Sequence, residues 1–267
     1  MTGSRVAIEV SRQIATVTLN RAEKRNALDI PMFVAIAETI RQLKRDRSIR
    51  VIIVKANGED FCSGLDIKSV LRNKMNALKL LWKWFPGNSN LAQIVSTGWK
   101  QIPAPVIMVI QGRCWGGGLQ IALGGDFRIA SPGASFSIME ARWGLIPDMG
   151  GTVSLRELIK LDDALKLAMT ADEIDCQRAK SIGLISQISE DPYRAALIFA
   201  DEICAKSPDS VAAVKKLYHK AWHSSDRTLL CKESFFQWRL LLGKNQKIAT
   251  KKQLGDDKVS YLERGRW

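Results

Sequence analysis

Val106-Ile107-Met108-Val109-Ile110, followed at once by Cys114-Trp115-Gly116-Gly117-Gly118-Leu119-Gln120-Ile121-Ala122-Leu123, is the part of the chain whose reading decides the fold. The first five residues are apolar throughout and read as a buried strand, and Leu119 to Leu123 reads as an apolar helical run. The three glycines therefore stand at a strand-to-helix junction. Bare backbone N–H groups at a helix start attract anions. Glycine triplets also serve ordinary turns, so the argument needs a second place offering the same chemistry.

Gly58-Glu59-Asp60-Phe61-Cys62-Ser63-Gly64-Leu65-Asp66-Ile67 is that place. It follows another apolar strand, Val51-Ile52-Ile53-Val54, and leads into a helix expected from Ile67. Two such loops can share one oxyanion. Together with Asn20-Arg21-Ala22 and Asn26-Ala27-Leu28, these blocks resemble the crotonase (enoyl-CoA hydratase/isomerase) superfamily. The resemblance continues through Phe136-Ser137-Ile138-Met139-Glu140, Gly144-Leu145-Ile146-Pro147-Asp148-Met149-Gly150-Gly151-Thr152 and Ala179-Lys180-Ser181-Ile182-Gly183-Leu184-Ile185, in the family's order, and covers nearly the whole chain. It implies an α/β fold, a spiral of repeated ββα units, with a crotonase core over residues 1–191. Residues 192–267 are then a C-terminal helical region that builds a homotrimer or a dimer of trimers and closes the site.

Composition is compatible with this. Of 267 residues 46% are hydrophobic, enough for one sizeable core. No apolar run reaches membrane-spanning length, and residues 1–10 lack the pattern of a signal peptide. The expectation is a cytoplasmic protein without a membrane partner. Five cysteines show no CxxC spacing, so reduced thiols are expected and no metal site is. The net charge of +13 suits coenzyme A, and equally nucleic acid or an acidic membrane surface. Basic clusters at Arg41, Lys44, Arg45, Arg47 and Arg50, and over 244–258, read as solvated helix faces, which disfavours a nucleic-acid partner.

Along the chain, Val6, Ile8 and Val10, then Ala15, Val17 and Leu19, alternate as a hairpin with one buried face. Helical periodicity runs from Ile30 to Asp46. Residues 73–100 carry Trp82, Trp84, Phe85 and Trp99 around a Pro86-Gly87-Asn88 break. The resemblance puts this segment beside the acyl pocket; helix packing is the competing reading for each ring. Thr152 to Ala171 reads as one helix, and the chain from Pro192 as helices broken at Ser207-Pro208 and Gly243. His219 and His223, four apart, read as a surface pair on a helix.

The resemblance implies that the N–H groups of Leu65 and Gly117 hold a thioester oxygen, with Ser63 and Gly116 in the two loops that receive it. It sets backbone around Arg25, Ala27, Asp66 and Ile67 against the coenzyme A adenine and pantetheine, with Lys24 or Lys68 on phosphate. Coenzyme A is then part of the substrate, and no separate cofactor is called for. Hydratases of the family carry glutamates at the positions of Gln120 and Glu140, and only Glu140 is kept here. An amide cannot accept a proton at neutral pH, which disfavours hydration. Asp148 matches the second proton-transfer carboxylate of dienoyl-CoA isomerases, although Gln120 replaces an aspartate of those enzymes too; a helix N-cap before Gly150 is the other reading of Asp148. Glu140, Asp148, Gln120, Leu65 and Gly117 are thus the expected catalytic set for shifting double bonds of an unsaturated acyl-CoA thioester. Two alternatives stay open. One is a hydratase using Glu140 and a water held by Gln120; the other is an RNA-binding protein of the same fold.

Overall fold

In the computed structural model the described residues are 4–71, 74–256 and 258–267. Residues 1–3 and Asn73, which end two of the stretches read above, lie outside them. β1 (Val6–Ser11) and β2 (Ile14–Leu19) pair as an antiparallel hairpin. Its turn residues Arg12 and Gln13 both have positive φ, the twist that a two-residue hairpin turn demands. One buried face fits only part of β1, and all six residues of β2 are buried. The reason is that β2 is an interior strand, paired on its far side with β3 (Val51–Ala56). Between them runs α1 (Ile30–Arg45), capped by Asp29, whose Oδ1 accepts from Met32 N at 2.9 Å.

After β3 the chain makes a parallel bridge from Cys62 to Cys114 and enters α2 (Ile67–Leu71), followed by α3 (Lys74–Leu81) and α4 (Leu91–Thr97). β4 (Val106–Ile110) is followed by β5 (Arg113–Trp115) and α5 (Gly117–Ala122). β6 (Phe127–Ala130) is followed by β7 (Ser135–Ser137), a 3-10 turn (Met139–Trp143) and α6 (Gly151–Leu158). Then come α7 (Leu161–Thr170), β8 (Ile174–Asp175), α8 (Cys176–Ser181) and β9 (Gln187–Ile188). The main sheet has the order β1-β2-β3-β4-β6-β9, and β5-β7-β8 form a second sheet that the Cys62 bridge extends. One step therefore recurs: a strand in the main sheet, an extended piece in the second, then a helix. This is the expected spiral of ββα units.

The apolar strands are continuous because both faces of the main sheet are covered. Ile52, Val54, Val106, Met108 and Ile110 point into the larger core with α1 and α5. Their neighbours Val51, Ile53, Ile107 and Val109 point the other way, against Ala196 and Ala200 of α9 (Pro192–Cys204). Beyond α9 lie α10 (Pro208–Ala221), α11 (Asp226–Leu241) and α12 (Lys244–Gln253), with breaks at Ser207 and Gly243 as expected.

Two expectations need correction. The single helix over 152–171 is two, because Ile159 turns extended to pack against the core and Lys160 restarts the chain as α7. Asp162 and Asp163 in the first turn of α7 are the start signal, since carboxylates favour a helix N-terminus. The two histidines also differ from each other. His223 is exposed, whereas His219 Nε2 lies 2.6 Å from Asp126 Oδ1. Asp126 Oδ2 meets the buried Lys215 Nζ at 2.7 Å, and Lys215 also donates to the carbonyls of Trp99 and Ala104. Among the described residues no helix is long and apolar enough to cross a membrane.

The Lys215–Asp126 pair fastens α10 to the core. Burial drives the Asp126 pKa up, but Lys215 and His219 outweigh it and leave it below the usual range. Lys215→Met strips the carboxylate of its main partner and should cost about 3–5 kcal/mol. Urea unfolding of the variant measures this; a loss under about 1 kcal/mol, the size of an exposed pair, would contradict the arrangement.

Candidate active site

The two glycine loops meet. Leu28 N donates to Gly64 O at 2.8 Å and Leu28 O accepts from Asp66 N at 3.0 Å. A strand bonded through the residues on either side of Leu65 turns the Leu65 N–H to the opposite side. Gly64 holds φ +95°, and a Cβ there would lie 3.1 Å from Trp115 O and 3.6 Å from Gly117 N. That close approach brings Leu65 beside the start of α5. Gly116 precedes α5 at φ +51° and ψ −122°, a conformation open to glycine. Gly117 is the first residue of α5, where an N–H has no partner within the helix. Among the described residues no hydrogen bond takes the N–H of Leu65 or of Gly117.

Beside these donors stands the carboxyl of Glu140, on the 3-10 turn after β7. Its Oε1 lies 3.7 Å from where a Gly116 Cβ would be and accepts from Gln120 Nε2 at 2.6 Å. Its Oε2 is buried and has no hydrogen-bond partner among the described residues. Burial raises the Glu140 pKa, and the charge of Asp148 adds to the rise against the opposing bonds from its own backbone and from Gln120. Asp148 is also raised, by desolvation, although the residue as a whole is open to solvent. Asp148 does not cap α6. The cap position is Gly150, with φ +83° and no side-chain bond.

Gln120, on α5, is 1% exposed. Its Oε1 accepts from Met149 N at 3.0 Å and from Gly151 N at 3.1 Å, so the amide ties the loop carrying Asp148 to the turn carrying Glu140.

A cleft of about 830 Å³ opens at Leu65 and is lined by Lys24, Ala27, Leu65, Asp66, Ile67 and Lys68, six of the residues expected from sequence, while Gly117, Glu140 and Asp148 are not among its lining residues. Ser69 and Trp143 complete it. Ser63 N donates to Arg25 O at 3.0 Å, which links the first loop to the cleft wall. The Arg25 side chain turns away to Asp60, at 3.8 Å. Of the aromatic segment, Trp99 is buried and bonds Val95 O, while Trp82, Trp84 and Phe85 stand exposed; none lines the cleft.

Sequence reasoning missed the residues behind this wall. Arg21 is buried and donates to Ala27 O and to Asp66 Oδ2, both at 2.8 Å. Asn26, at φ +53°, is fully buried and its side chain bonds Arg21 N, Asn57 O and Asp60 O. Both lie inside the quoted Asn20-Arg21-Ala22 and Asn26-Ala27-Leu28 blocks, and their polarity next to apolar strands was the signal. Cys62 and Cys114 are buried beside the loops; burial pushes the Cys62 thiol up to about 12, so neither is a nucleophile at neutral pH.

A spiral of ββα units that leaves two unpaired N–H groups beside a buried carboxyl is the arrangement that the sequence resemblance implies. The family profile described as enoyl-CoA hydratase/isomerase matches residues 9–241, and the chain belongs to that family, the crotonase superfamily. It is 32% identical over 214 residues to the mitochondrial methylglutaconyl-CoA hydratase of Mus musculus, covering 78% of this chain. The match spans 66% of that hydratase's length, just under two thirds. It is 28% identical over 257 residues to the mitochondrial Delta(3,5)-Delta(2,4)-dienoyl-CoA isomerase of Mus musculus, covering 92% of this chain and 77% of that one. The crystal structure of an enoyl-CoA hydratase from Bacillus anthracis superimposes with a TM-score of 0.86 over 96% of this chain and 98% of that one, at 24% identity, and so shares its fold.

The Arg21–Asp66 bond yields a prediction. Burial raises the Asp66 pKa, but bonds from Arg21 and Ser69 N and the charges of Arg21 and Lys24 bring it below the usual carboxylate value. With the folded pKa below the unfolded one, its contribution to stability is complete above the unfolded value and is lost as pH falls through the folded value. In Arg21→Met the Asp66 carboxyl should titrate at higher pH, followed by carboxyl NMR, and the protein should lose less stability between neutral and acid pH than the parent. An unmoved Asp66 titration would dissociate the pair.

Proposed function

We propose that the chain shifts double bonds in an unsaturated acyl-CoA thioester, with Glu140 and Asp148 moving protons and the N–H groups of Leu65 and Gly117 holding the thioester oxygen. One observation carries this reading: Glu140 Oε2 is buried without a hydrogen-bond partner among the described residues, beside two unpaired N–H groups, while an amide, Gln120, fills the position where a second hydratase carboxylate is expected. The similarity to the dienoyl-CoA isomerase over most of the chain supports it.

The steps follow from the chemistry. Removal of a proton from C2, beside the thioester, puts negative charge on the thioester oxygen, where two N–H donors stabilise it more than the neutral carbonyl. Glu140, whose Oε2 has no other partner, takes that proton. Asp148, its pKa raised, is available as the acid that returns a proton farther along the conjugated chain. For a 3,5-dienoyl-CoA the proton leaves C2 and another arrives at C6, the double bonds end at 2 and 4, and no water is added. Lys24 and Lys68 at the cleft are the candidates for the phosphates of coenzyme A, with Ala27, Asp66 and Ile67 along the adenine and pantetheine and Arg25, Ser63 and Gly116 shaping the backbone around them. Hydration is the second reading. It has less support, because three of the four hydrogen-bonding places on Gln120 are occupied and one N–H remains to hold a water.

A cytoplasmic homotrimer, or a dimer of trimers, goes with this proposal. Large apolar side chains left exposed in the single chain, among them Phe235 and Trp238 of α11 and Leu161 of α7, support assembly with further copies.

The purified protein should convert a 3,5-dienoyl-CoA to the conjugated 2,4-dienoyl product and hydrate crotonyl-CoA poorly, both read by absorbance. Glu140→Gln and Asp148→Asn should each lower kcat by roughly 10²–10⁴-fold. Activity should fall as pH drops through the raised carboxyl pKa, so the acid limb of kcat/KM should lie above the ordinary carboxylate range of about 4. Rapid crotonyl-CoA hydration with no dienoyl conversion would overturn the assignment.

A further inference from the structure

We propose that Gln120 is a positioning residue that keeps Glu140 as a lone base, by presenting an N–H rather than a second carboxylate to Glu140 Oε1 and by clamping the loop that carries Asp148. The inference rests on the reaction proposed above for its purpose, and on the geometry alone for its substance.

The orientation of the amide is forced. Two backbone N–H groups, those of Met149 and Gly151, point at one end of the Gln120 side chain, and only an oxygen can receive them. The NH2 end therefore faces Glu140, at 2.6 Å from Oε1. Gly151 is packed so closely that a Cβ there would lie 2.8 Å from Gln120 Cγ and 3.0 Å from its Oε1. At the other end the Gln120 carbonyl accepts from Ser96 Oγ at 2.5 Å. Held at both ends and buried, Gln120 fixes which Glu140 oxygen is occupied. Oε1 is taken, and Oε2, buried and unpartnered, is left to meet the substrate.

A carboxylate in place of the amide serves the Met149 and Gly151 N–H groups equally well with one oxygen. Its other oxygen then meets Glu140 Oε1 at a contact now 2.6 Å long. Two acceptors at that distance cannot both be ionised, so one proton is shared and the pair titrates together. Glu140 then ceases to be a free base at the pH where it now works. Charged groups on the elements around Glu140 include Arg142 on its own turn, bonded to Ala171 O, and Asp163 and Lys166 on α7, which packs against that turn. Of the charged groups, Asp148 on the clamped loop is the one that shifts Glu140. Gln120 therefore acts on both halves of the proton-transfer pair without itself exchanging a proton.

Gln120→Glu tests this, since it preserves an acceptor for the loop, whereas Gln120→Ala strands two buried N–H groups and risks misfolding. In the whole protein labelled with carboxyl-13C glutamate, the Glu140 signal is assigned by its absence in Glu140→Gln and followed with pH. Gln120→Glu should move the Glu140 titration up by about one pH unit or more, with a second coupled step. The acid limb of kcat/KM on the dienoyl substrate should move with it, while KM at high pH stays within about twofold. A Glu140 titration identical in parent and variant overturns the proposal, whatever reaction the protein catalyses. A shifted titration in a protein that does not convert the dienoyl substrate supports Gln120 in this role and removes the isomerase reading instead.

Discussion

Cys62 holds the two glycine loops side by side through its backbone: its N–H donates to Arg113 O and its carbonyl accepts from Trp115 N, both at 3.0 Å. Much of the site depends on this single bridging residue. A Cβ on Gly118 would come within 2.5 Å of that same carbonyl, so the first turn of α5 can lie against Cys62 only because glycine is there. With α5 pressed onto the bridge, Gly117 starts a helix beside Gly64. The Leu28 bonds on the other side leave Leu65 facing the same space. The Leu65 N–H is left unpaired because the residues on either side of it bond Leu28, and the Gly117 N–H because it opens a helix.

The charges are arranged on a different principle. Arg21, Asp29 and Asp66 form a network behind the cleft, with Arg5 on its outer side, and each carboxylate there has a cation to offset its burial. Glu140 has none. Burial raises its pKa, with the charge of Asp148 adding to the rise and the Gln120 bond opposing it, and desolvation raises Asp148. A fold that pairs its structural carboxylates and leaves Glu140 and Asp148 without an ion pair among the described residues has concentrated its electrostatic cost in one place, and shifted carboxyl groups gather where function is placed.

Strands and loops were legible in the sequence through two local signals, and the spiral that joins them through the resemblance of ordered blocks. Continuous apolar runs such as Val51 to Val54 report strands covered on both faces, and Gly64 and Gly116 report backbone conformations other residues resist. Boundaries were less legible where a long-range contact decided them. Ile159 leaves the helical pattern to reach the core, and no periodicity announces that. Long-range pairing hid the rest: Asp126 and His219 are 93 positions apart, and Arg21 reaches Asp66 over 45. Gln120 was singled out as the wrong residue for a hydratase, but the reason it matters lies in the Met149 and Gly151 N–H groups, which a side-chain reading does not see.

On the proposed reading, handling of the thioester and choice of reaction sit on separate parts of the molecule. The donors for the oxygen are backbone groups, fixed by glycines and by the Cys62 and Leu28 bridges, and no side-chain substitution removes them without disturbing the backbone. The groups proposed to move protons are side chains on the segment from Glu140 to Gly151, joined to α5 by the Gln120 amide. Exchanging an amide for an acid at one end of that segment alters which carboxyl can ionise while the N–H groups of Leu65 and Gly117 stay where they are. That proposal gives a physical reason for a hydratase and an isomerase to share one fold, and identity near 30% to either kind leaves the reaction to be read from Gln120, Glu140 and Asp148.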